Sequence, residues 1–310
     1  MQGGKTMLEF LQSENISPAI LQGLSDFRKE YPLEATAQDR LGHPRYHYYG
    51  KEVWEQAATA LLCGQNLLLV GAKSTGKNVL AENLAAAFGR PLWNVSFHIN
   101  MDASLMVGTD TFQNGQVTFR PGPVYQCAQQ GGFGVLDEIN MARNEALAVL
   151  HSLLDYRRLL DVPGYDVVKL HGATRFIATM NYGYAGTREL NEALASRFAV
   201  LKLPVISAEH LQKLLRGEFP GLLPQAVQLF TDVFFDLHKK CAAGEISDKA
   251  VDLRGLLDAL HLMEKGLAPQ LALAMGLTNK AFDEYEAALV GDVLAARLPK
   301  HLERRELFAK

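Results

Sequence analysis

Apolar residues in the middle of the chain come in short runs, separated by stretches with helical spacing. The runs Asn66–Val70, Leu92–Phe97, Gly134–Asp137, Arg175–Thr179 and Val200–Leu203 read as strands. Between them, Lys77–Phe88, Val124–Gln130, Arg143–Asp155 and Asn191–Arg197 read as helices. Such alternation predicts a largely parallel sheet covered on both faces. After Pro204 the pattern changes. Ser207–Arg216, Pro224–Ala243, Leu253–Lys265 and Lys280–Leu298 carry helical patterns, with no strand among them. At the other end, Leu8, Leu11, Ile16, Ile20 and Leu24 recur at loosely helical intervals. The expected organisation is a helical N-terminal extension over 1–45, an α/β domain over 46–204 and a helical domain over 205–310.

Two hairpins interrupt the α/β pattern. Asn114-Gly115 is a strong two-residue turn signal. Closing it pairs Gln113 with Gln116, Phe112 with Val117 and Thr111 with Thr118. A second hairpin is predicted from Arg158–Val162 and Asp166–Leu170, joined through Pro163-Gly164. The basic end, Arg297 to Lys310, reads as a solvated helix with one apolar side.

Composition narrows the class. Charged residues are 21% of the 310 and the net charge is -3, so no polyanion-binding protein is indicated as a whole. Cys63, Cys127 and Cys241 have no disulfide or metal spacing, as in a reducing compartment. Lys5 is not followed by a signal-peptide core. No run approaches the roughly 20 apolar residues of a membrane span. A cytoplasmic protein is expected.

The strand Leu67-Leu68-Leu69-Val70 runs into Gly71-Ala72-Lys73-Ser74-Thr75-Gly76-Lys77-Asn78, and a helix opens at Val79. Strand, glycine loop and helix in this order form a phosphate-binding P-loop. Its backbone N–H groups and the helix N-terminus face phosphates, and Lys77 meets them as a point charge. Phe133-Gly134-Val135-Leu136-Asp137-Glu138 is an apolar strand ending in two acids, at the end where open α/β sheets bind ligands. Asp137 is placed to hold Mg²⁺, directly or through water, and Glu138 to polarise an attacking water. Taken alone, such an acid pair more often caps a helix. Asn181 follows the strand Phe176-Ile177-Ala178-Thr179 and is placed to orient the same water. Arg197 and Arg254 are candidates to stabilise charge on a transferring phosphoryl group, with Arg188 a weaker one. Tyr48-Tyr49-Gly50 is a candidate base contact. His98, His151 and His171 have no ligand spacing, and Trp54 and Trp93 read as core anchors.

Taken together, GAKSTGKN, FGVLDEINMARNEAL, LLDYRRLL, RFIATMN and NEALASRF resemble the AAA+ ATPases of the MoxR and dynein-related branch, over about residues 46 to 265. The resemblance implies a P-loop NTPase with a three-layer αβα domain, a C-terminal all-helical lid and β-hairpin insertions. It implies ATP and Mg²⁺ as ligands. Residues Gly71 to Val79 become the Walker A loop, Asp137 and Glu138 the Walker B pair, and Asn181 sensor 1. Arg197 becomes the arginine finger and Arg254, in Val251-Asp252-Leu253-Arg254-Gly255, sensor 2. It further implies a homo-oligomeric ring, expected to be hexameric. The ring's work is remodelling a client, often with a von Willebrand factor A domain protein as partner. Membrane association and direct nucleic-acid contact are not expected. In such rings hairpins line the pore or one face, so Phe112 and Phe119 either touch a client or pack on their own domain.

One residue departs from the pattern. The family's loop ends in Lys-Ser/Thr, whose hydroxyl ligates Mg²⁺, and here the position is Asn78. Its amide oxygen is also a hard donor. Either Asn78 ligates the ion and hydrolysis proceeds, or metal binding is weak and the protein mainly binds nucleotide as a scaffold. The branch also contains GTP-driven subunits of restriction systems, which leaves a GTPase motor as an alternative.

Overall fold

The structure is a computed structural model, and it describes residues 6–162, 164–181, 189–299 and 301–309. Two compact units divide the chain: 1–72 with 76–204, and 73–75 with 205–310.

The first unit is built on five parallel strands, β1 (Asn66–Gly71), β2 (Leu92–Ser96), β5 (Phe133–Asp137), β8 (Arg175–Asn181) and β9 (Phe198–Lys202). The first hairpin supplies β3 (Gly108–Gln113) and β4 (Gln116–Pro121), the second β6 (Leu159–Leu160) and β7 (Val168–Lys169). The sheet order is β2-β5-β8-β1-β9. Alternate residues of the inner strands enter different cores. Leu68, Val70, Leu136, Phe176 and Ala178 face one core. Leu67, Leu69, Phe133, Val135 and Ile177 face the other. A strand apolar at every position is what a sheet covered on both faces requires. The predicted three-layer fold is therefore present.

Helices Met7–Ser13, Pro18–Glu30, Lys51–Leu62 and Lys77–Phe88 cover the second face, and residues of all four share its core. Arg28 ties the amino-terminal helices to the rest, donating to Ala86 O (2.7 Å) and Ala87 O (2.9 Å) at the carboxyl end of Lys77–Phe88. A cation at a helix C-terminus meets unpaired carbonyls and the negative end of the dipole. Arg90 and Arg175 are buried and likewise bond carbonyls, among them Tyr31 O and Leu61 O.

The first hairpin has the predicted register, Phe112 opposite Val117 and Thr111 opposite Thr118. Asn114 (φ 53°) and Gly115 (φ 79°) give the turn its two left-handed residues. The second hairpin is shorter than predicted, pairing only Leu159 with Lys169 and Leu160 with Val168. Pro163 lies outside the described residues. The predicted helix Arg143–Asp155 is two pieces, Asn144–Leu147 and Leu150–Leu154, with i→i+3 bonds from Ala148 N and His151 N at the junction.

The second unit contains the helices Ala208–Glu218, Pro224–Ala242, Leu253–Glu264, Pro269–Gly276 and Glu284–Arg297. Pro269–Gly276 was not predicted; it starts on a proline at its first turn and closes on Gly255 of its neighbour. The carboxyl-terminal segment is not the solvated helix expected. The helix ends at Arg297, before Pro299, and only Arg304–Leu307 is helical beyond it. Leu302, Leu307 and Phe308 are buried, and Leu223 N donates to Leu307 O at 2.8 Å. Among the described residues no helix is long and apolar enough to cross a membrane.

Candidate functional site

The loop after β1 turns on two left-handed residues, Ser74 (φ 63°) and Gly76 (φ 81°). Successive N–H groups in such a turn make an anion-binding concavity. Gly76 is favoured by its φ, and the space beside it is tight. A Cβ there would lie 3.2 Å from the ring of Tyr48, which packs across the glycine. Tyr48 is fixed by its N–H to Asn83 Oδ1 (3.1 Å) and its carbonyl to Trp54 Nε1 (2.8 Å). Burial pushes its hydroxyl up to about 12. The candidate base contact is thus a neighbour of the loop.

Lys77 opens the following helix and is buried. Its ammonium donates to Gly71 O (3.0 Å) and Ala72 O (2.8 Å). Burial lowers it to about 8, against the opposing pull of Asp137 and Glu138. Below that value the lysine carries its charge, and above it the charge is lost. A phosphate beside it favours the charged form, so binding above this pH takes up a proton. Nucleotide affinity is therefore expected to hold steady to about pH 7.5 and then fall by up to about tenfold per pH unit. Titration calorimetry in buffers of different ionisation enthalpy checks both the fall and the proton uptake.

Asn78, Asp137, Thr179, Glu138, Asn181 and Asn140 form one hydrogen-bonded chain. Asn78 Nδ2 donates to Asp137 Oδ2 at 2.9 Å. An ionised carboxylate only accepts, so the amide nitrogen is the atom facing it, and Asn78 Oδ1 is left as an oxygen donor. Thr179 Oγ1 donates to Asp137 Oδ1 (2.5 Å) and accepts from Glu138 N (3.0 Å). Glu138 itself is left-handed (φ 56°), a conformation uncommon for a residue with a Cβ. Its Oε1 accepts from Asn181 Nδ2 at 3.1 Å. Asn140 is buried, donates from Nδ2 to Asn181 O (3.2 Å), and has an Oδ1 with no partner.

The donor set suits a hard divalent cation. Asp137 offers carboxylate oxygens and Asn78 an amide oxygen. Among the described residues no three His, Cys, Asp or Glu side chains are grouped to hold a metal unaided. A Mg²⁺ site of one or two protein ligands completed by phosphates and water fits that picture.

Arg197 lies elsewhere in the unit, just before β9. Its guanidinium donates to His151 O (3.1 Å) and to Ala193 O, and lies 4.0 Å from Asp155. The β1–β9 register pairs Asn66 with Phe198 and Val70 with Lys202. Arg197 is therefore at the start of the strands, and the loop is at their far end, about 20 Å along the sheet at 3.3 Å per residue. Arg254 belongs to the other unit. It is exposed on the first turn of Leu253–Glu264, and its N–H donates to the cap Asp252 (3.1 Å). Arg188 lies outside the described residues.

The hairpin phenylalanines divide. Phe119 packs on the core with Tyr125 and Tyr165. Phe112 is 74% exposed, and its cross-strand partner Val117 is 64% exposed. Tyr165 OH donates to Asp110 at 2.6 Å, joining the two hairpins. Trp54 and Trp93 are core residues, as expected. His98 and His171 accept from nearby backbone N–H groups.

Residues 66–198 match the AAA domain of the dynein-related subfamily. The chain belongs to the AAA+ ATPases, with an AAA domain of the dynein-related type. It is 33% identical over 297 residues to the uncharacterized protein YojN of Bacillus subtilis (strain 168), covering 94% of this chain and 97% of that one. An uncharacterized protein of Staphylococcus haemolyticus is 30% identical over 250 residues, covering 79% and 95%. One of Staphylococcus aureus (strain COL) is 31% identical over 250 residues, covering 77% and 94%.

Proposed function

We propose that this chain works as a ring of identical subunits, hexameric as its family implies. The ring turns ATP hydrolysis into remodelling or activation of a partner protein. The observation carrying this reading is the chain of side chains from Asn78 to Asn181, together with Arg197 a strand's length away. Lys77 and the loop N–H groups receive the phosphates. Asp137 and Asn78 would hold Mg²⁺, which would supply neutralisation of the phosphate charge. Glu138 accepts the proton of the attacking water, and Asn181 fixes the glutamate that does so. Arg197 is too far from its own loop to act there, which favours a role at a neighbour's nucleotide. Arg254 is assigned the sensor 2 role on family grounds. The exposed Phe112–Val117 pair is an apolar contact for a client, and a von Willebrand factor A domain protein is the partner class the family favours.

Asn78 also fits hydrolysis. A Ser or Thr hydroxyl can ligate an ion through its oxygen and donate its proton to the Walker B aspartate. An amide splits those tasks between two atoms. Its nitrogen already bonds Asp137, and its oxygen is a hard donor for the ion. Separated atoms hold the ion less closely, so Asn78→Thr is expected to raise turnover by up to about tenfold, or about 1.4 kcal/mol of barrier. Phosphate release from ATP and from GTP, each with and without Mg²⁺, tests the reading. Nucleotide binding with no Mg²⁺-dependent release overturns it in favour of a scaffold, and release from GTP alone makes the protein a GTPase.

A further inference from the structure

We infer that Thr179 is a positioning residue that sets the geometry of both Walker B acids through its single hydroxyl. The hydroxyl has one proton, and its partners dictate where that proton goes. Glu138 N–H can only donate, so Oγ1 accepts there at 3.0 Å. The Asp137 carboxylate can only accept, so the proton is directed to Oδ1 at 2.5 Å. Thr179 is completely buried, so its hydroxyl is committed to these two partners. No other residue type of this size does both tasks except serine.

Each task has a chemical consequence. The bond to Asp137 fixes the rotation of the carboxylate about its stem. With Asn78 holding Oδ2 (2.9 Å), each carboxylate oxygen has one protein donor, and the carboxylate that would hold Mg²⁺ is fixed in orientation. The bond from Glu138 supports a left-handed residue (φ 56°) that has no glycine to ease it. That backbone turn puts Glu138 Oε1 within 3.1 Å of Asn181 Nδ2. Without the hydroxyl, Glu138 N–H loses its side-chain acceptor and the turn relaxes toward ordinary φ. The general base then leaves its place although every catalytic side chain remains. The role follows from position: β5 pairs with β8, Leu136 beside Ala178, so the next residues, Asp137 and Thr179, lie side by side.

The test compares Thr179→Val, which keeps the shape, with Thr179→Ser, which keeps the hydroxyl. Valine is expected to lower kcat at least about tenfold while the KM for ATP stays within about threefold, because the loss concerns the reacting geometry and not phosphate binding. Serine is expected to recover kcat to within about threefold of wild type. Mn²⁺ titration of the ADP-bound protein by electron paramagnetic resonance gives a second readout, independent of turnover. Valine weakens Mn²⁺ binding several-fold there, and serine does not. Thermal unfolding and binding of a fluorescent nucleotide without metal confirm that both variants fold. Wild-type kcat and Mn²⁺ affinity in the valine variant overturn the inference, as does a serine variant as impaired as valine. The inference rests on the hydrolase reading only for its kinetic arm. A wild-type protein that binds nucleotide without turning it over overturns that reading, and Mn²⁺ affinity then decides Thr179 alone.

Discussion

Glu138→Gln is expected to cut Mg²⁺-dependent ATP turnover by about 10²- to 10⁴-fold, the usual worth of a positioned general base. Nucleotide binding is expected to survive. The substitution is conservative in every respect but one. Glutamine keeps the side-chain length and an oxygen that accepts from Asn181 Nδ2, the bond seen at 3.1 Å. Its backbone N–H still donates to Thr179. What it lacks is the ability to take a proton from water. Lys77 and the loop are untouched, so ATP stays bound and accumulates unhydrolysed. Single-turnover phosphate release gives the rate, and a fluorescent ATP analogue gives the affinity. Turnover at the wild-type rate removes Glu138 from the chemistry. Loss of binding in parallel with turnover assigns it to the phosphate site instead.

What the chain disclosed in advance follows a physical division. Features set by local geometry were legible. Asn114-Gly115 fixed a hairpin register to the residue, because a two-residue turn with both φ positive leaves little choice. Five apolar runs gave five sheet strands, because a strand buried on both faces must be apolar throughout. Features set by contacts distant in sequence were not. Thr179 reads as the last residue of a strand; only the pairing of β5 with β8 puts it beside Asp137. The one available signal was a polar residue closing an otherwise apolar run two positions before Asn181. Phe112 and Phe119 look equivalent in sequence, yet one is exposed and the other packs on Tyr125 and Tyr165. Nothing local in the sequence marks the partners of Arg28, Arg90 and Arg175, which are carbonyls 58, 41 and 114 residues away. The carboxyl-terminal segment departs from a free helix because its apolar residues are buried and its backbone bonds to Leu222 and Leu223, far away in sequence.

The placement of Arg197 yields the other large effect, and a test that turns on where the arginine acts. Arg197→Ala is expected to lower turnover by about 10³-fold or more, the range for loss of an arginine finger. Lys77→Ala is expected to be equally inactive, because it removes the phosphate-binding cation. The two defects differ in location. A Lys77→Ala subunit cannot use its own site but still carries Arg197. An Arg197→Ala subunit has an intact loop, Asp137 and Glu138, but supplies no guanidinium. If Arg197 serves a neighbour, mixing the two inactive proteins creates junctions in which an intact loop faces an intact arginine. Activity then returns to a fraction of wild type and rises with protein concentration as rings form. If Arg197 served its own nucleotide, no junction in the mixture would be complete and activity would stay absent. The register favours the first outcome, since Arg197 precedes the residue opposite Asn66 while the loop begins after Val70. Its present partners, His151 O, Ala193 O and Asp155, all belong to its own chain. Reaching a neighbour's phosphate therefore means exchanging two neutral acceptors and one carboxylate at 4.0 Å for an anion, a change that charge alone favours.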